Sequence, residues 1–214
     1  YLKYNIDSFL NVLEYCRKNK NTNLVYASSS SVYGANKKVP FSVIDDVSNP
    51  VSLYAVTKRT NELMAESYFN LYNLKSIGLR FFTVYGPWGR PDMAIWKFTD
   101  SIINNRPIKV FNQGNLSRDF TYIDDIVDGL EKAIILSQKE SFRKHSLYNL
   151  GNNSPVVLGK MISILENIIG KKAKKKLLPM QLGDVKKTYA DIEKTKKDLD
   201  FFPKVNLKEG LIKF

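Results

Sequence analysis

The chain contains 214 residues, of which 43% are hydrophobic, and its formal net charge is +12 at pH 7. A chain of this length and composition can bury a sizeable core, and none of its apolar runs approaches the ~20 residues that a membrane span requires. The single cysteine excludes an internal disulfide framework, and the single histidine, His145, argues against a metal centre or a Ser-His-Asp triad.

Helix-like and strand-like patterns alternate along the chain. In order, the sequence predicts a helix over 3–18, a strand over 23–28, a helix over 51–73, a strand over 75–82, a helix over 93–104, a strand over 108–111, a helix over 123–138, a strand over 146–150 and a helix over 158–169. This alternation is typical of a doubly wound, parallel α/β sheet.

The positive charge is concentrated in three lysine-rich runs, at 171–176, 186–187 and 194–197. Such runs can bind nucleic acid or form a solvated surface. The first run has no interleaved aromatic residues, and no nucleic-acid-binding motif accompanies it, so the solvated surface is the favoured interpretation. A basic field would also attract a doubly charged anionic ligand.

The helix predicted over 51–73 carries Tyr54 and Lys58 on the same face. A free tyrosine, with a pKa near ~10, is a poor base at neutral pH, and a lysine cation close by favours the phenolate. The pair alone is a weak signal, because both residue types are common on helices.

A run of serines follows the strand predicted over 23–28, and hydroxyls at this end of a parallel strand lie where open α/β sheets bind ligands. The run can be a serine-rich loop with an aromatic plug. It can also supply Ser29 to a group with Tyr54 and Lys58 that moves a proton from a substrate hydroxyl while a cofactor takes a hydride.

Several motifs occur in order along the chain. They are Asn5 within a helix, SSSSVYG at 28–34, PVSLYAVTK at 50–58, LRFFTVYGPWGRPDM at 79–93, RDFTYIDD at 118–125, YNLG at 148–151 and GD at 183–184. On these motifs the chain resembles the extended short-chain dehydrogenase/reductase family over essentially its whole length. Within that family it is most similar to NAD-dependent nucleotide-sugar 4-epimerases, particularly UDP-glucuronate 4-epimerases of capsule biosynthesis.

The resemblance implies an NAD-binding Rossmann domain, whose remainder is expected over 1–83 and 120–150. An interleaved substrate lobe for the UDP-sugar is expected over 84–119 and 151–214. The family's Gly-x-x-Gly-x-x-Gly turn, which holds the dinucleotide pyrophosphate, does not occur here. We therefore expect a fragment that lacks the first βαβ units and is inactive alone. The resemblance also implies a cytoplasmic homodimer, with neither nucleic acid nor membrane as a partner.

The resemblance assigns chemical roles. Tyr54 is the base that takes the proton of the sugar 4-hydroxyl, Ser29 binds the same oxygen, and Ser30 is a nearby candidate. Lys58 holds the nicotinamide ribose. Further cofactor contacts are expected at Asn5, Ser28 and Phe82, and no metal is expected. Hydride passes from C4 to NAD and returns to the opposite face of the keto sugar, so that the net reaction is an isomerisation.

Thr83 and Arg90 favour a uronate substrate within this resemblance. An arginine fork can bind a C6 carboxylate bidentately, and threonine adds a hydroxyl. The other expected substrate contacts are Val110 and Phe111 on uracil, Arg118 on the diphosphate and Asp184 near the uridine ribose.

Alternatives remain open at this stage. Related 4,6-dehydratases and decarboxylases usually carry an acidic residue in the serine run, and its absence here favours epimerisation. An epimerase of UDP-glucose/galactose or UDP-N-acetylhexosamine, a 4,6-dehydratase and a non-catalytic NAD-binding or nucleotide-sugar-binding relative all remain possible. Arg90 can instead form a surface salt bridge, and Val110 and Phe111 can be core residues.

Overall fold

The computed structural model describes residues 1–19, 22–181 and 183–214. The helices are α1 (Ser8–Lys18), α2 (Leu53–Tyr72), α3 (Ala94–Ile103), α4 (Ile123–Gln138), α5 (Leu158–Ile169), α6 (Glu193–Leu199) and α7 (Leu207–Lys213). The strands are β1 (Leu24–Ser29), β2 (Ser76–Phe81), β3 (Thr83–Tyr85), β4 (Ile108–Phe111), β5 (Ser117–Arg118), β6 (Phe120–Tyr122), β7 (His145–Leu150), β8 (Val156–Val157) and β9 (Lys175–Leu178). A π-helical turn, Leu2–Asp7, leads into α1, and a 3-10 turn, Ser30–Tyr33, follows β1.

The central sheet consists of β1, β2 and β7, which are parallel, with β2 in the middle. Helices α2 and α4 cover its opposite faces. Arg80 of β2 binds Glu62 of α2, whereas the adjacent Leu79 packs in a cluster with Ile126 and Ala133 of α4. Because successive strand residues point to opposite faces, this arrangement confirms the doubly wound α/β class.

Helix α2 has defined caps at both ends. The Ser52 hydroxyl accepts a hydrogen bond of 3.1 Å from the Ala55 amide, which is a standard N-cap. The helix ends at Asn73, whose φ of 56° is left-handed. With these caps, α2 begins two residues after the predicted start and ends one residue before the predicted end.

A second, smaller lobe has its own apolar cluster. Most of its members come from α3, β4, α5 and α7, and include Ile102, Ile108, Met161 and Leu211. Strand β9 pairs with β4 in parallel at the edge of this lobe. Lys175 and Lys176 of β9 belong to the first lysine run and are exposed, so part of that solvated surface is a strand.

Two segments pack differently from the expected domain division. Phe120 and Tyr122 lie in the cluster of the smaller lobe, whereas Ile192, Leu199 and Phe201 pack against the central sheet. The chain therefore crosses between the lobes more often than the motifs indicated. In the part of the chain that the structure describes, no helix combines the length and apolarity needed to span a membrane.

Candidate active site

A cavity of about 810 Å³ opens at the carboxyl ends of β1 and β2, where open α/β sheets bind ligands. Most of the predicted site residues line it. They are Ser28, Ser29, Ser30, Tyr54, Lys58, Phe82, Thr83, Arg90, Arg118 and Asp184. The fold thus brings together residues from five of the motifs that are far apart in sequence.

The serine run forms one edge of this cavity. Strand β1 ends at Ser29, and the chain then turns through Ser30–Tyr33. The Ser29 hydroxyl oxygen accepts hydrogen bonds from the Ser31 amide at 3.2 Å and from the Ser31 hydroxyl at 2.8 Å. Because Ser29 is the acceptor in both bonds, its own proton remains available for a ligand.

Tyr54 and Lys58 occupy the first two turns of α2 and line the same wall. The Lys58 ammonium donates to the Ala27 carbonyl at 3.0 Å and lies 6.0 Å from the centre of the Tyr54 ring. Burial lowers the pKa of the Lys58 ammonium. The aromatic ring of Tyr1 approaches that of Tyr54, with 5.8 Å between the ring centres.

The chain crosses the base of the cavity at Phe82 and Thr83. The Phe82 amide donates to the Leu150 carbonyl at 3.1 Å, and the Thr83 amide donates to the Asp119 carbonyl at 3.0 Å. Thr83 therefore begins β3 at a fixed position at the boundary between the central sheet and the smaller lobe.

Arg90 lies at the mouth of the cavity and already has a carboxylate partner. Its Nε and Nη2 atoms lie 3.0 Å and 2.5 Å from the two carboxylate oxygens of Asp92. The two side chains are 76% and 55% exposed. A ligand carboxylate would therefore compete with Asp92 for the Arg90 guanidinium.

Arg118 and Asp184 form an ion pair deeper in the structure. Burial lowers the pKa of the Arg118 guanidinium, although Asp184 opposes this effect. Both residues, together with Thr83, also line an adjoining cavity of about 680 Å³. The two cavities are thus neighbours that share a wall, which suits an elongated ligand with chemically different ends.

Three of the predicted contacts lie outside the first cavity. The side-chain amide of Asn5 donates to the Thr57 hydroxyl at 2.9 Å. The backbone carbonyl of Asn5 accepts from the side-chain amide of Asn61 at 2.7 Å, so Asn5 joins the π-helical turn to α2. Val110 is 2% exposed within the core of the smaller lobe and lines neither cavity. Phe111 lines the second cavity. Val110 is therefore placed as a core residue, which was the alternative to a contact with uracil.

Ser28 lines the cavity, but its hydroxyl is turned away from it. The hydroxyl donates to Glu62 at 2.6 Å and the residue is 2% exposed. The Ser28 hydroxyl proton is therefore already bonded to Glu62, and the cofactor contact of Ser28 stays a prediction.

Asp119 is a buried residue beside the site that the sequence did not single out. Its carboxylate accepts hydrogen bonds from the amides of Asn152 at 2.9 Å, Asn153 at 3.1 Å and Ala190 at 2.9 Å. Burial raises the pKa of Asp119, although these amides oppose the shift. Its position directly after Arg118 was the only sequence signal for a role near the site. The amides that it binds are far away in the chain and leave no local sequence pattern.

The wall formed by Ser29, Tyr54 and Lys58 fits a ribose and a sugar hydroxyl. An ammonium has three donors, and among the described residues the one bond recorded for Lys58 is that to Ala27. Its other donors can reach ligand hydroxyls, and Ser29 and Tyr54 can bind a second hydroxyl. These side chains therefore suit the nicotinamide end of a dinucleotide next to a sugar.

Comparison of the sequence with known families gives a match to the NAD dependent epimerase/dehydratase family over residues 1–151. The chain belongs to this family. The resemblance found in the motifs is confirmed.

Two relatives of this epimerase/dehydratase chain match it over its whole length. It is 48% identical to Protein CapI of Staphylococcus aureus, over all of this chain and 68% of that protein. It is 46% identical to UDP-glucuronate 4-epimerase 5 of Arabidopsis thaliana, over all of this chain and 52% of that protein.

A solved structure of the same family has a closely similar fold. The UDP-glucuronic acid 4-epimerase of Bacillus cereus, in complex with UDP-glucuronic acid and NAD, superposes with a TM-score of 0.92. The two chains are 34% identical, and the match covers 100% of this chain and 66% of that one. This chain therefore spans about half to two-thirds of the length of these relatives.

Proposed function

We propose that this chain carries the catalytic group and much of the sugar site of an NAD-dependent UDP-glucuronate 4-epimerase, which forms UDP-galacturonate. The observation that carries the proposal is the single cavity that Ser29, Tyr54 and Lys58 line together with Thr83 and Arg90. The relatives support it, since one is a UDP-glucuronate 4-epimerase and another was crystallised with UDP-glucuronic acid and NAD.

Proton transfer is the part of the reaction that these side chains perform. Tyr54 accepts the proton of the sugar 4-hydroxyl, and the free proton of Ser29 bonds the same oxygen. Lys58, fixed by Ala27, binds the ribose hydroxyls with its remaining donors. A bound NAD would supply a reversible hydride acceptor for C4 beside these side chains. Tyr54 gives its proton back in that second half, so that the sugar is isomerised without net oxidation.

The adjoining cavities allow the sugar to turn over between the two hydride transfers. Arg118 can hold the diphosphate at the shared wall, because a guanidinium matches phosphate geometry. The sugar end then lies in the cavity of about 810 Å³ and can rotate about its link to the diphosphate. The cavity thereby presents either face of C4 to the same hydride acceptor.

Arg90 is the residue that we assign to the C6 carboxylate. The 4-keto form of glucuronate is a β-keto acid, which loses CO2 when the bond between C5 and the C6 carboxylate is oriented for cleavage. A bidentate guanidinium can hold the carboxylate away from that orientation. In the free protein Asp92 occupies the same guanidinium, and the substrate carboxylate would displace it.

The test is to incubate the full-length gene product with UDP-glucuronate, UDP-glucose and UDP-N-acetylglucosamine separately, and to follow the products by NMR. UDP-galacturonate from the first substrate alone is the expected result. A Tyr54→Phe variant, which removes one hydroxyl, should be inactive. A pentose product with CO2 would make the protein a decarboxylase, and no turnover of any substrate would overturn the proposal.

A specific observation favours a second candidate, an epimerase of neutral UDP-hexoses. Arg90 is exposed and already paired with Asp92, as a surface salt bridge would be. Turnover of UDP-glucose in the experiment above, with UDP-glucuronate unchanged, would support this candidate.

We further propose that the protein is a cytoplasmic homodimer. Apolar side chains of α1 and α2 are exposed, including Leu10 at 41%, Leu53 at 56% and Leu63 at 49%. A second copy would cover these faces. Light scattering should give the mass of a dimer, and Leu63→Glu should shift it towards the monomer. A monomeric wild-type protein would contradict this assembly.

We also propose that the product supplies a surface polysaccharide such as a capsule. The relationship to Protein CapI supports this destination. Deletion of the gene should remove galacturonate from the polysaccharide, and an unchanged sugar composition would contradict the proposal.

A further inference from the structure

A buried ion pair lies behind the wall that carries the proposed catalytic residues. Glu62 of α2 is 0% exposed and Arg80 of β2 is 1% exposed. The Arg80 Nε and Nη2 atoms donate to the two carboxylate oxygens of Glu62 at 2.8 Å and 2.9 Å, which is a bidentate arrangement. Arg59 adds a third bond to the same carboxylate at 3.0 Å.

The Glu62 carboxylate also reaches the strand that ends in the serine run. It accepts the hydroxyl proton of Ser28 at 2.6 Å. Ser28 and Arg80 face each other in the register of β1 and β2. A single carboxylate therefore joins helix α2 to two neighbouring strands at their carboxyl ends.

Two partners of Glu62, Ser28 and Arg59, are next to proposed catalytic residues in the chain. Ser28 directly precedes Ser29, and Lys58 lies one helical turn before Glu62 on the same face of α2. The Lys58 ammonium binds Ala27, which directly precedes Ser28. Two adjacent residues of β1 are thus bonded to two residues of α2 that are one turn apart.

Electrostatics explain why this pair fixes a position rather than merely filling space. Burial alone would raise the pKa of Glu62, but the Arg80 guanidinium together with the hydrogen bonds from Ser28 and Arg59 outweighs burial and keeps that pKa below its ordinary value. Charges this deeply buried tolerate little displacement, because the attraction that offsets their desolvation depends on good geometry. The pair therefore holds α2 and β1 in one relative position.

The pair is also continuous with a wider buried network. The Arg80 guanidinium lies 4.9 Å from the centre of the Tyr33 ring, at the end of the 3-10 turn. The Tyr33 hydroxyl donates to Asn149 at 2.6 Å. Both ends of the turn that carries Ser30 and Ser31 are thereby fastened, one through Ser28 and the other through Tyr33.

We propose that Glu62, through Ser28 and Arg80, is a positioning residue that sets Ser29 at its working distance from Tyr54 and Lys58. The inference rests on the proposed epimerase function. It assigns to Glu62 no contact with substrate or cofactor, and it predicts that loosening the pair slows turnover without weakening binding.

The first variant is Ser28→Ala in the full-length, NAD-loaded protein, because it removes one bond and leaves the ion pair intact. We expect kcat to fall by about 10-fold or more, since small misplacements of reacting groups cost up to ~100-fold, while KM for UDP-glucuronate stays within about 3-fold. Hydrogen exchange at residues 28–33 should rise. Ser137→Ala is the matched control, because Ser137 is also a buried serine with a hydrogen-bonded hydroxyl, at the far end of α4.

The second variant separates positioning from stability. Replacement of a buried ion pair by apolar residues of similar size is often neutral for stability, so Glu62→Met/Arg80→Met should unfold near the wild-type temperature and yet retain the low kcat. A wild-type kcat in either variant would overturn the positioning role and leave the epimerase intact. A wild-type protein that turns over none of the three UDP-sugars would overturn both proposals.

Discussion

Asp119→Asn is the substitution whose cost can be worked out most directly from the structure. The carboxylate accepts three backbone amide protons, from Asn152 and Asn153, which are half-buried, and from Ala190, which is buried. An asparagine oxygen can retain at most two of these bonds, and the new NH2 group then faces the third amide, which is also a donor. A buried donor without a partner costs about 1–3 kcal/mol, and bonds to a charged acceptor are worth about 1.5–3 kcal/mol each.

Desolvation offsets part of that loss. Burial raises the pKa of Asp119, so the charge itself is partly disfavoured in the folded protein, and a neutral amide relieves that cost. We therefore expect the free energy of unfolding to fall by roughly 2 kcal/mol, towards the lower part of the range given by the lost bonds.

Urea denaturation followed by tryptophan fluorescence measures this change. With a slope of about 1–3 kcal/mol per molar urea, the midpoint should fall by roughly 1 M. Asp92→Asn is the matched control, because it makes the same replacement in an exposed ion pair, which is worth about 0–1 kcal/mol. If the Asp119→Asn midpoint falls no further than that of the control, the three amide bonds do not stabilise the fold as argued.

Three further predictions concern ligand specificity, pH and backbone strain. Asp92→Asn frees Arg90, so UDP-glucuronate should bind up to about 5-fold more tightly by calorimetry, and an equal gain for UDP-glucose would contradict a carboxylate-specific role. Burial lowers the pKa of His145 below its unfolded value. The unfolded chain then binds the proton first, so stability should fall as the pH drops below ~6.5; His145→Gln should remove this part of the thermal shift, and an identical pH profile would refute it. Gly34→Ala should lower the unfolding temperature, because Gly34 has φ of 51° and an added Cβ would lie 2.0 Å from the Asn49 carbonyl oxygen; an unchanged temperature would contradict that reasoning.

Long, regular elements were predictable from the sequence because they carry many repeats of one pattern. Helix α2 spans Leu53–Tyr72 and was predicted over 51–73, and β1 and β7 were each found within one residue of their predicted bounds. Strands β3, β5, β6 and β8 have only two or three residues each. Such segments are too short to show a period of two, and tertiary pairing alone defines them.

The candidate site likewise has a part that local patterns predict and a part that only the tertiary fold defines. Tyr54 and Lys58 are one turn apart on one helix, so their shared face follows from helical geometry alone. Their proximity to Thr83, Arg90 and Asp184 required the family resemblance, because no local pattern encodes it. The resemblance gave Ser28 a cofactor contact, whereas the fold turns its hydroxyl to Glu62, a residue that the sequence presented only as part of a helix.

Two carboxylates accept hydrogen bonds from backbone amides of distant segments, and sequence patterns did not reveal these connections. Asp119 accepts the amide protons of Asn152 and Ala190, which belong to two segments far apart in the chain. Asp125, which the sequence presented as part of a helix start, accepts the amides of Lys204 and Val205 at 3.0 Å each. An acidic residue at a helix start is also expected from the helix dipole. The sequence therefore looks the same whether or not that residue binds a distant segment. The residues that line the cavity of this chain are therefore recognisable by motif, whereas the buried residues that bond the segments around it are recognisable only from the fold.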